Sequence, residues 1–340
     1  MQTTTIGLDL AKSVFQVHGV DAAGQVTVRK KLRRAEVLRF FDTLTPCVVG
    51  MEACATAHHW AREISALGHQ VRLMPPSYVK AYVRRQKNDA ADAEAICEAV
   101  TRPSMRFVPV KSAERQGVLV LHRTRELLVR QRTMLINAIR GHCAEFGIIA
   151  PQGARRAPEL VEQIRQIEAT ELPDLARSAL LRLADQLDGL AAEIDGLERR
   201  LLAWHRQDQA SQRLATIPGV GLITATALSA TVVDPAAFRS GREFAAFLGL
   251  VPRQNSSGGK DRLGRISKKG DGYLRKLLVV GATSVIRRAR TGAMAAGPWI
   301  RSLLGRRPAR VVTVAMANKT ARIAWAVLTR GEVYHPPAMA

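Results

Sequence analysis

Apolar and polar residues alternate in short runs along the first stretch of the chain. Residues 3–9 (Thr-Thr-Thr-Ile-Gly-Leu-Asp) read as a strand that ends at an acid, and residues 13–20 as a second strand. Asp21-Ala22-Ala23-Gly24 is a turn, and Gln25 to Lys31 alternates like a third strand, so the chain opens as a β-meander. A helix is predicted at about 34–44. Cys47-Val48-Val49-Gly50-Met51-Glu52 is a short apolar run of the kind a buried strand shows, and it too ends at an acid. A helix at 56–67 stops at Gly68, and a fifth strand at 70–74 stops at Pro75-Pro76. Strands and helices in this order predict a mixed sheet with helices on its faces.

The texture changes after about residue 111. From Ser112 to Phe146 breakers are few, and Val118, Leu121, Leu128, Leu135 and Ile139 recur at helical spacing. Residues 172–205 repeat the pattern with Leu180, Leu183, Leu187, Leu190, Ile194, Leu197 and Leu201. These steps predict a long amphipathic helix or a coiled-coil hairpin, joined across a basic connector from Pro151 to Pro158. Such an arm serves as a spacer or as a dimerisation element. From 211 the chain is compact again. Ile217-Pro218-Gly219-Val220-Gly221 lies between two helical segments, a glycine-rich basic loop at 252–272 precedes a helix starting near Tyr273, and a last helix runs to about Thr329. The expected domains are 1–110, an α/β unit; 111–206, a helical arm; and 207–335, a mainly α C-terminal domain.

Charge narrows the partner. The 340 residues carry 51 Lys plus Arg against 29 Asp plus Glu, a net charge of +22. Such an excess points to a polyanion, nucleic acid foremost, because phosphate neutralisation dominates that kind of binding. No apolar run approaching a membrane span stands out, and Met1 to Asp9 lacks the layout of a signal peptide, so the expected place is the cytoplasm, associated with the nucleoid, with no membrane partner. The four cysteines (Cys47, Cys54, Cys97, Cys143) form no C-x-x-C pair and are read as reduced thiols. Aromatic residues are only 5% of the chain, so platforms for stacking bases are not prominent.

Against this basic background four acids stand out. Asp9 and Glu52 end their strands. Asp89 and Asp92 lie three residues apart in Asn88-Asp89-Ala90-Ala91-Asp92-Ala93, which on a helix puts both carboxylates on one face. Two acids from central strands and two from a helix are the hard oxygen ligands that suit a pair of Mg²⁺ ions, and such ions activate the attacking oxygen and stabilise the leaving oxygen of a phosphodiester. A structural role competes with this one: Asp89 as a helix cap and Asp92 in a first turn favoured by the helix dipole.

Two features of the C-terminal half suit nucleic acid. Leu214 to Ala225 resembles a helix-hairpin-helix hairpin: Pro218 stiffens the turn, Gly219 and Gly221 allow close approach, and the next helix offers free N–H groups to a phosphate. The competing reading is an ordinary packing corner. Beyond it, Gly249-Leu250-Val251-Pro252-Arg253-Gln254-Asn255-Ser256-Ser257-Gly258-Gly259-Lys260 and Gly264-Arg265-Ile266-Ser267-Lys268-Lys269-Gly270 put serines among cations. A serine there can attack a phosphodiester whose charge is neutralised by Arg253, Lys260, Arg262, Lys268 and Lys269, although Ser-Gly in a loop is ordinarily just a turn.

Gly7-Leu8-Asp9-Leu10-Ala11-Lys12, Met51-Glu52-Ala53 and Asn88 to Ala93, with the G-L-x-P … S-G … G-x-I-S-K-x-G … L-R pattern of 249–275, resemble bacterial DEDD insertion-sequence transposases. More narrowly, the chain is similar to their bridge-RNA-guided recombinases, over nearly its whole length. The resemblance implies an RNase H-like (RuvC-like) N-terminal domain, a coiled-coil middle and a C-terminal transposase domain. It implies Asp9, Glu52, Asp89 and Asp92 as Mg²⁺ ligands, Ser257 as nucleophile with Ser256 and Ser267 as neighbours in register, donor and target DNA, a structured guide RNA, and a dimer or tetramer in which the acids and the serine meet, within one subunit or across two. The chain departs in Ala53-Cys54-Ala55-Thr56, where relatives of this kind have Ala-Thr-Gly after the glutamate, and in a loop about one residue shorter between Ser-Gly and Ser-Lys. Two rival readings remain. A Holliday-junction-type metal-dependent endonuclease would use water and leave Ser257 dispensable; a non-enzymatic nucleic-acid-binding protein would leave the four acids incidental.

Overall fold

The computed structural model describes residues 2–83, 89–149, 152–167, 172–256, 260, 262–294 and 297–336. They form two compact units: 1–116 with 232–239, and 117–231 with 240–340.

The first unit is built on a five-stranded sheet of β1 (Thr5–Asp9), β2 (Val14–Val20), β3 (Val26–Arg33), β4 (Val48–Glu52) and β5 (Gln70–Met74), in the order β3-β2-β1-β4-β5. The expected meander is present: β1–β2 and β2–β3 are antiparallel, while β4 lies parallel to both β1 and β5. One face carries Ile6, Leu8, Phe15, Val49 and Met51, and these pack against α1 (Val37–Asp42) and α2 (Ala57–Ala66) through Phe41, Trp60, Ala61 and Ile64. A short helix α3 (Pro76–Val79) follows β5 and packs its Val79 beside α4 (Asp89–Val100), which covers the other face.

That other face has a feature that only strand register reveals. Gly7 and Gly50 are direct partners across β1 and β4. A Cβ on Gly7 would lie 2.1 Å from the Ala93 carbonyl oxygen, and one on Gly50 would lie 2.8 Å from the Val100 Cβ. The paired glycines make a flat seat on which α4 rests directly, and side chains two residues further along a strand share the same face. Asp9 and Glu52 are those residues.

Thr56 precedes α2 with φ 72°, in the left-handed region, and its side chain caps nothing. A β-branched residue held there costs about 1–3 kcal/mol. The strain falls in the segment 53–56, where the chain departs from Ala-Thr-Gly. Thr56→Gly is expected to raise stability by about 1 kcal/mol, because glycine gives back only part of the gain as chain entropy. A shift of the thermal midpoint upward checks it; a downward shift means the threonine is not strained.

The second unit is helical. α5 (Ala113–Ala144) and α7 (Asp174–His205) run antiparallel: Arg125 pairs with Glu198 at 2.6 Å, Val118 packs near Leu201, and Ile139 near Ala184. On α7 the buried Leu180, Leu187, Ile194 and Leu201 are seven residues apart. At the end of the basic connector begins a helix that the sequence reading missed, α6 (Ala157–Gln166), whose Leu160, Val161 and Ile164 are buried between the ends of α5 and α7. Its proline stands at the start of the helix, where no N–H is needed, rather than acting as a breaker.

The remaining helices are α8 (Gln209–Ala215), α9 (Leu222–Thr231), α10 (Gly241–Phe247), α11 (Gly272–Arg290), α12 (Pro298–Arg306) and α13 (Ala309–Arg330), with a small hairpin of β6 (Pro252–Gln254) and β7 (Leu263–Ile266). His122 of α5 is buried, 3.0 Å from the Tyr273 hydroxyl on α11 and 3.1 Å from the Thr226 hydroxyl on α9; burial lowers its pKa to about 4, so it is a neutral tie between three helices. By length and composition α13 passes for a membrane span, which the sequence reading did not anticipate. Here it packs as a core helix with Val312, Met316, Ala317, Ala321, Ala324 and Val327 buried, and it carries Arg310, Lys319 and Arg322.

Candidate active site

The first site forms where β1, β4 and α4 meet. α4 sits on the glycine seat with Ala93 and Cys97 against β1 and Val100 against β4, which brings its N-terminal turn to the carboxyl end of β1. Asp89 and Asp92 occupy that turn, and their carboxylates and that of Asp9 all lie within 4.8 Å of one another. Glu52 ends the strand beside Asp9, since Leu8 pairs with Met51. It lies outside that tight trio, yet its charge acts on Asp9. Burial first, then repulsion from Asp92, Asp89 and Glu52, pushes the Asp9 pKa up from 3.8 to about 6. The positive end of the α4 dipole favours the two aspartates in its first turn. The helix-dipole role weighed for Asp92 therefore coexists with the cluster.

Such a donor set fits a divalent cation. All its ligand atoms are hard carboxylate oxygens, and the repulsion that raises Asp9 is what a bound cation relieves. Asp9, Asp89 and Asp92 would hold it, with Glu52 at the margin.

Two neighbours escaped the sequence reading. Asp9 pairs with Gln16 on β2, and Gln16 pairs with Lys31 on β3, so Lys31, Gln16, Asp9 and Glu52 form one row across the sheet. On that face the β3 edge carries Arg29, Lys31 and Arg33, so cations stand on the flank of an acidic site. Only register, not spacing in the sequence, shows this.

The second set of residues lies on the helical unit. In the turn from α8 to α9, Gly219 has φ 86°, and a Cβ there would meet the Gly281 carbonyl at 3.0 Å; a Cβ on Gly281 would lie 1.9 Å from the Gly219 oxygen. The close approach Gly219 provides is thus to α11. Gly221, by contrast, is exposed with open space around it, at the start of α9.

The β6–β7 hairpin is held at its base. Gly249 and Gly270 both have positive φ, and a Cβ on Gly270 would lie 1.8 Å from the Phe247 oxygen. Arg275 donates to the Leu248 and Lys269 carbonyls at 2.9 and 3.0 Å, and Asp271 caps α11. Higher up, the Asn255 N–H donates to the Arg262 carbonyl and the Arg262 N–H to the Ser256 hydroxyl, at 2.9 and 3.2 Å. Arg253, Lys260, Arg262, Lys268 and Lys269 are all exposed on this hairpin and its base. Ser267 accepts from the Lys269 N–H. Ser257 lies outside the described residues.

Comparison with known proteins covers both halves. Residues 6–147, which include all four acids, match a DEDD transposase family model of the IS110 type, and residues 211–296, which include the hairpin, match the model described as transposase IS116/IS110/IS902 family. A probable family 20 transposase of Pseudomonas aeruginosa is 53% identical over 99% of this chain and 100% of its own length. A putative transposase of Sinorhizobium fredii is 49% identical over 98% of this chain and 86% of its own. The transposase for insertion sequence element IS1328 of Yersinia enterocolitica is 42% identical over 97% and 98%.

Proposed function

The chain belongs to the IS116/IS110/IS902 family of insertion-sequence transposases, and from that premise we propose that it exchanges DNA strands through a phosphoserine intermediate, served by an Mg²⁺ site of the RuvC-like, RNase H-like kind. The observation that carries the reading is the convergence of the Asp9, Asp89 and Asp92 carboxylates beside the end of β4.

In this reading Asp9, Asp89 and Asp92, with Glu52 beside them, would hold Mg²⁺, and a cation held there would lower the pKa of an attacking oxygen and neutralise charge on the phosphate. The Ser257 oxygen bonds to a DNA phosphorus. The bond from phosphorus to a sugar oxygen breaks, the serine proton leaves, and the sugar oxygen takes up a proton. Rejoining reverses this with a different strand's hydroxyl as nucleophile, so no bond energy is lost between cleavage and ligation. Arg253, Lys260, Arg262, Lys268 and Lys269 hold the phosphates on either side. Gly221, at the start of α9 in a hairpin of helix-hairpin-helix type, adds a backbone contact, and Gly219 shapes that turn.

Donor and target DNA are the proposed substrates, and a structured guide RNA the proposed source of sequence choice, as the resemblance implies. The charge of +22 supports a protein that grips phosphate and shape. A dimer or tetramer joined by a coiled-coil arm completes the proposal. In support, Val120, Leu127 and Met134 recur at seven-residue steps on α5 and are exposed.

The test uses the purified chain, Mg²⁺, labelled DNA from the element's ends and RNA from its flanking non-coding region. Wild type is expected to give a denaturant-resistant protein–DNA adduct that is lost in Ser257→Ala. Cleavage that survives Ser257→Ala, with no adduct in wild type, would instead identify a water-using junction nuclease.

A further inference from the structure

The helical unit carries a groove of about 1400 Å³ that shares only Lys268 with the residues proposed above. Its floor is the outward side of α13, with Val311, Val314, Ala315, Ile323 and Ala326, and one wall is the β6–β7 hairpin through Pro252, Gly264 and Ile266. Two of the chain's four tryptophans, Trp299 and Trp325, line it. Trp299 is 38% exposed, and the Lys319 ammonium lies 4.5 Å from its ring centroid. Arg242, Arg265, Lys268, Arg310, Lys319 and Arg322 stand around the apolar floor, and among the described residues no acid lines it.

This combination selects its occupant. The groove exceeds the roughly 300–1,000 Å³ of a small-molecule site, so it suits a segment of chain. A second copy of this protein is disfavoured, because pairing the groove with itself would bring two sets of six cations together without a counter-charge, whereas interface cores are depleted of charge. Polyanion on the rim and flat apolar groups on the floor describe one class of partner: a nucleic-acid strand with unpaired bases.

We propose that this groove binds an unpaired segment of nucleic acid, its bases stacked on Trp299 and the apolar side of α13, its phosphates on Arg310, Lys319 and Arg322. The inference takes its ligand class from the transposase reading but does not depend on serine chemistry. The groove shares the β6–β7 hairpin, so a strand held here runs along Pro252, Gly264 and Ile266. Low aromatic content hid the site, since the fold gathers two distant tryptophans into one place.

The experiment measures binding of the full chain to a short labelled oligothymidylate, an oligouridylate and an abasic strand of equal length, by fluorescence anisotropy in the absence of Mg²⁺. Trp299→Ala is expected to weaken binding to a base-bearing strand about five- to a hundredfold, in the range of one lost stack. It should leave the abasic strand unchanged, and Trp299→Phe should restore most of the loss. Lys319→Gln should weaken all three strands and reduce the salt dependence. Preference for the deoxy or the ribo strand identifies the segment as DNA or RNA, and either supports the site. Equal affinity of wild type and Trp299→Ala for both base-bearing strands overturns the proposal, as does equal loss on the abasic strand. A change of oligomeric mass in Trp299→Ala with unchanged strand binding would assign the groove to a second copy and also overturn it. Because the assay reads binding alone, failure of the serine reading, a missing adduct, leaves this result unaffected.

Discussion

Asp9→Asn is expected to lower DNA strand cleavage by at least about a thousandfold. The substitution keeps the shape of the side chain and removes the charge at the centre of the acid cluster. Forfeiting the several kcal/mol that a bound metal supplies to the transition state, at 1.36 kcal/mol per factor of ten, gives that magnitude. Stability should move the opposite way. The folded-state pKa of Asp9 is about 6 against an ordinary 3.8, so ionisation is harder in the fold than in the unfolded chain. That penalty is absent below about pH 4, grows as pH rises, and is complete above about pH 6. With a chelator present at neutral pH, Asp9→Asn should therefore melt higher than wild type, and the difference should vanish near pH 4. Thermal unfolding across that range, beside a cleavage assay, checks both halves. A variant that loses activity and also melts lower would mark Asp9 as a structural residue instead.

Gly7→Val is expected to cost more than about 3 kcal/mol and to abolish metal binding with it. The new Cβ would lie 2.1 Å from the Ala93 oxygen and 2.4 Å from the Cys97 nitrogen, both backbone atoms of α4 that no side-chain rotation can move. The helix must lift off the sheet, and Asp89 and Asp92 leave Asp9. Gly50→Ala is the milder comparison. Its Cβ would lie 2.8 Å from the Val100 Cβ, which is fixed to the α4 backbone, so the helix must shift here too, but by less than the 2.1 Å approach at Gly7 demands, and a loss of about 1–3 kcal/mol is expected. Denaturant unfolding, with and without added Mg²⁺, separates the two. If Gly7→Val keeps both its midpoint and its Mg²⁺ response, α4 is not seated as described.

Much of the first unit was legible because its strands obey a simple period. Residues 3–9, 13–20, 47–52 and 70–74 end within two residues of the observed strands, and the acids at two of those ends were visible for that reason. The seat under α4 was not legible. Gly7 and Gly50 lie far apart in the chain, and their pairing depends on the register of two parallel strands. Gln16 beside Asp9, and Lys31 one strand further out, escaped for the same reason. α6 was missed because Pro158 reads as a breaker unless its place at a helix start is known. Gly219 looked like a ligand contact, and only the fold shows that α11 fills the space its missing side chain leaves. The rule behind these cases is that periodicity reports which face a residue occupies. It does not report what lies on that face.

Digestion of the protein–DNA adduct, followed by mass spectrometry of the peptide that retains a nucleotide, tests serine attack most directly. A nucleotide on Ser257, formed by wild type with Mg²⁺ and absent from Asp9→Asn, is the expected result. Attachment to another residue, or cleaved DNA with no attached peptide, would contradict it.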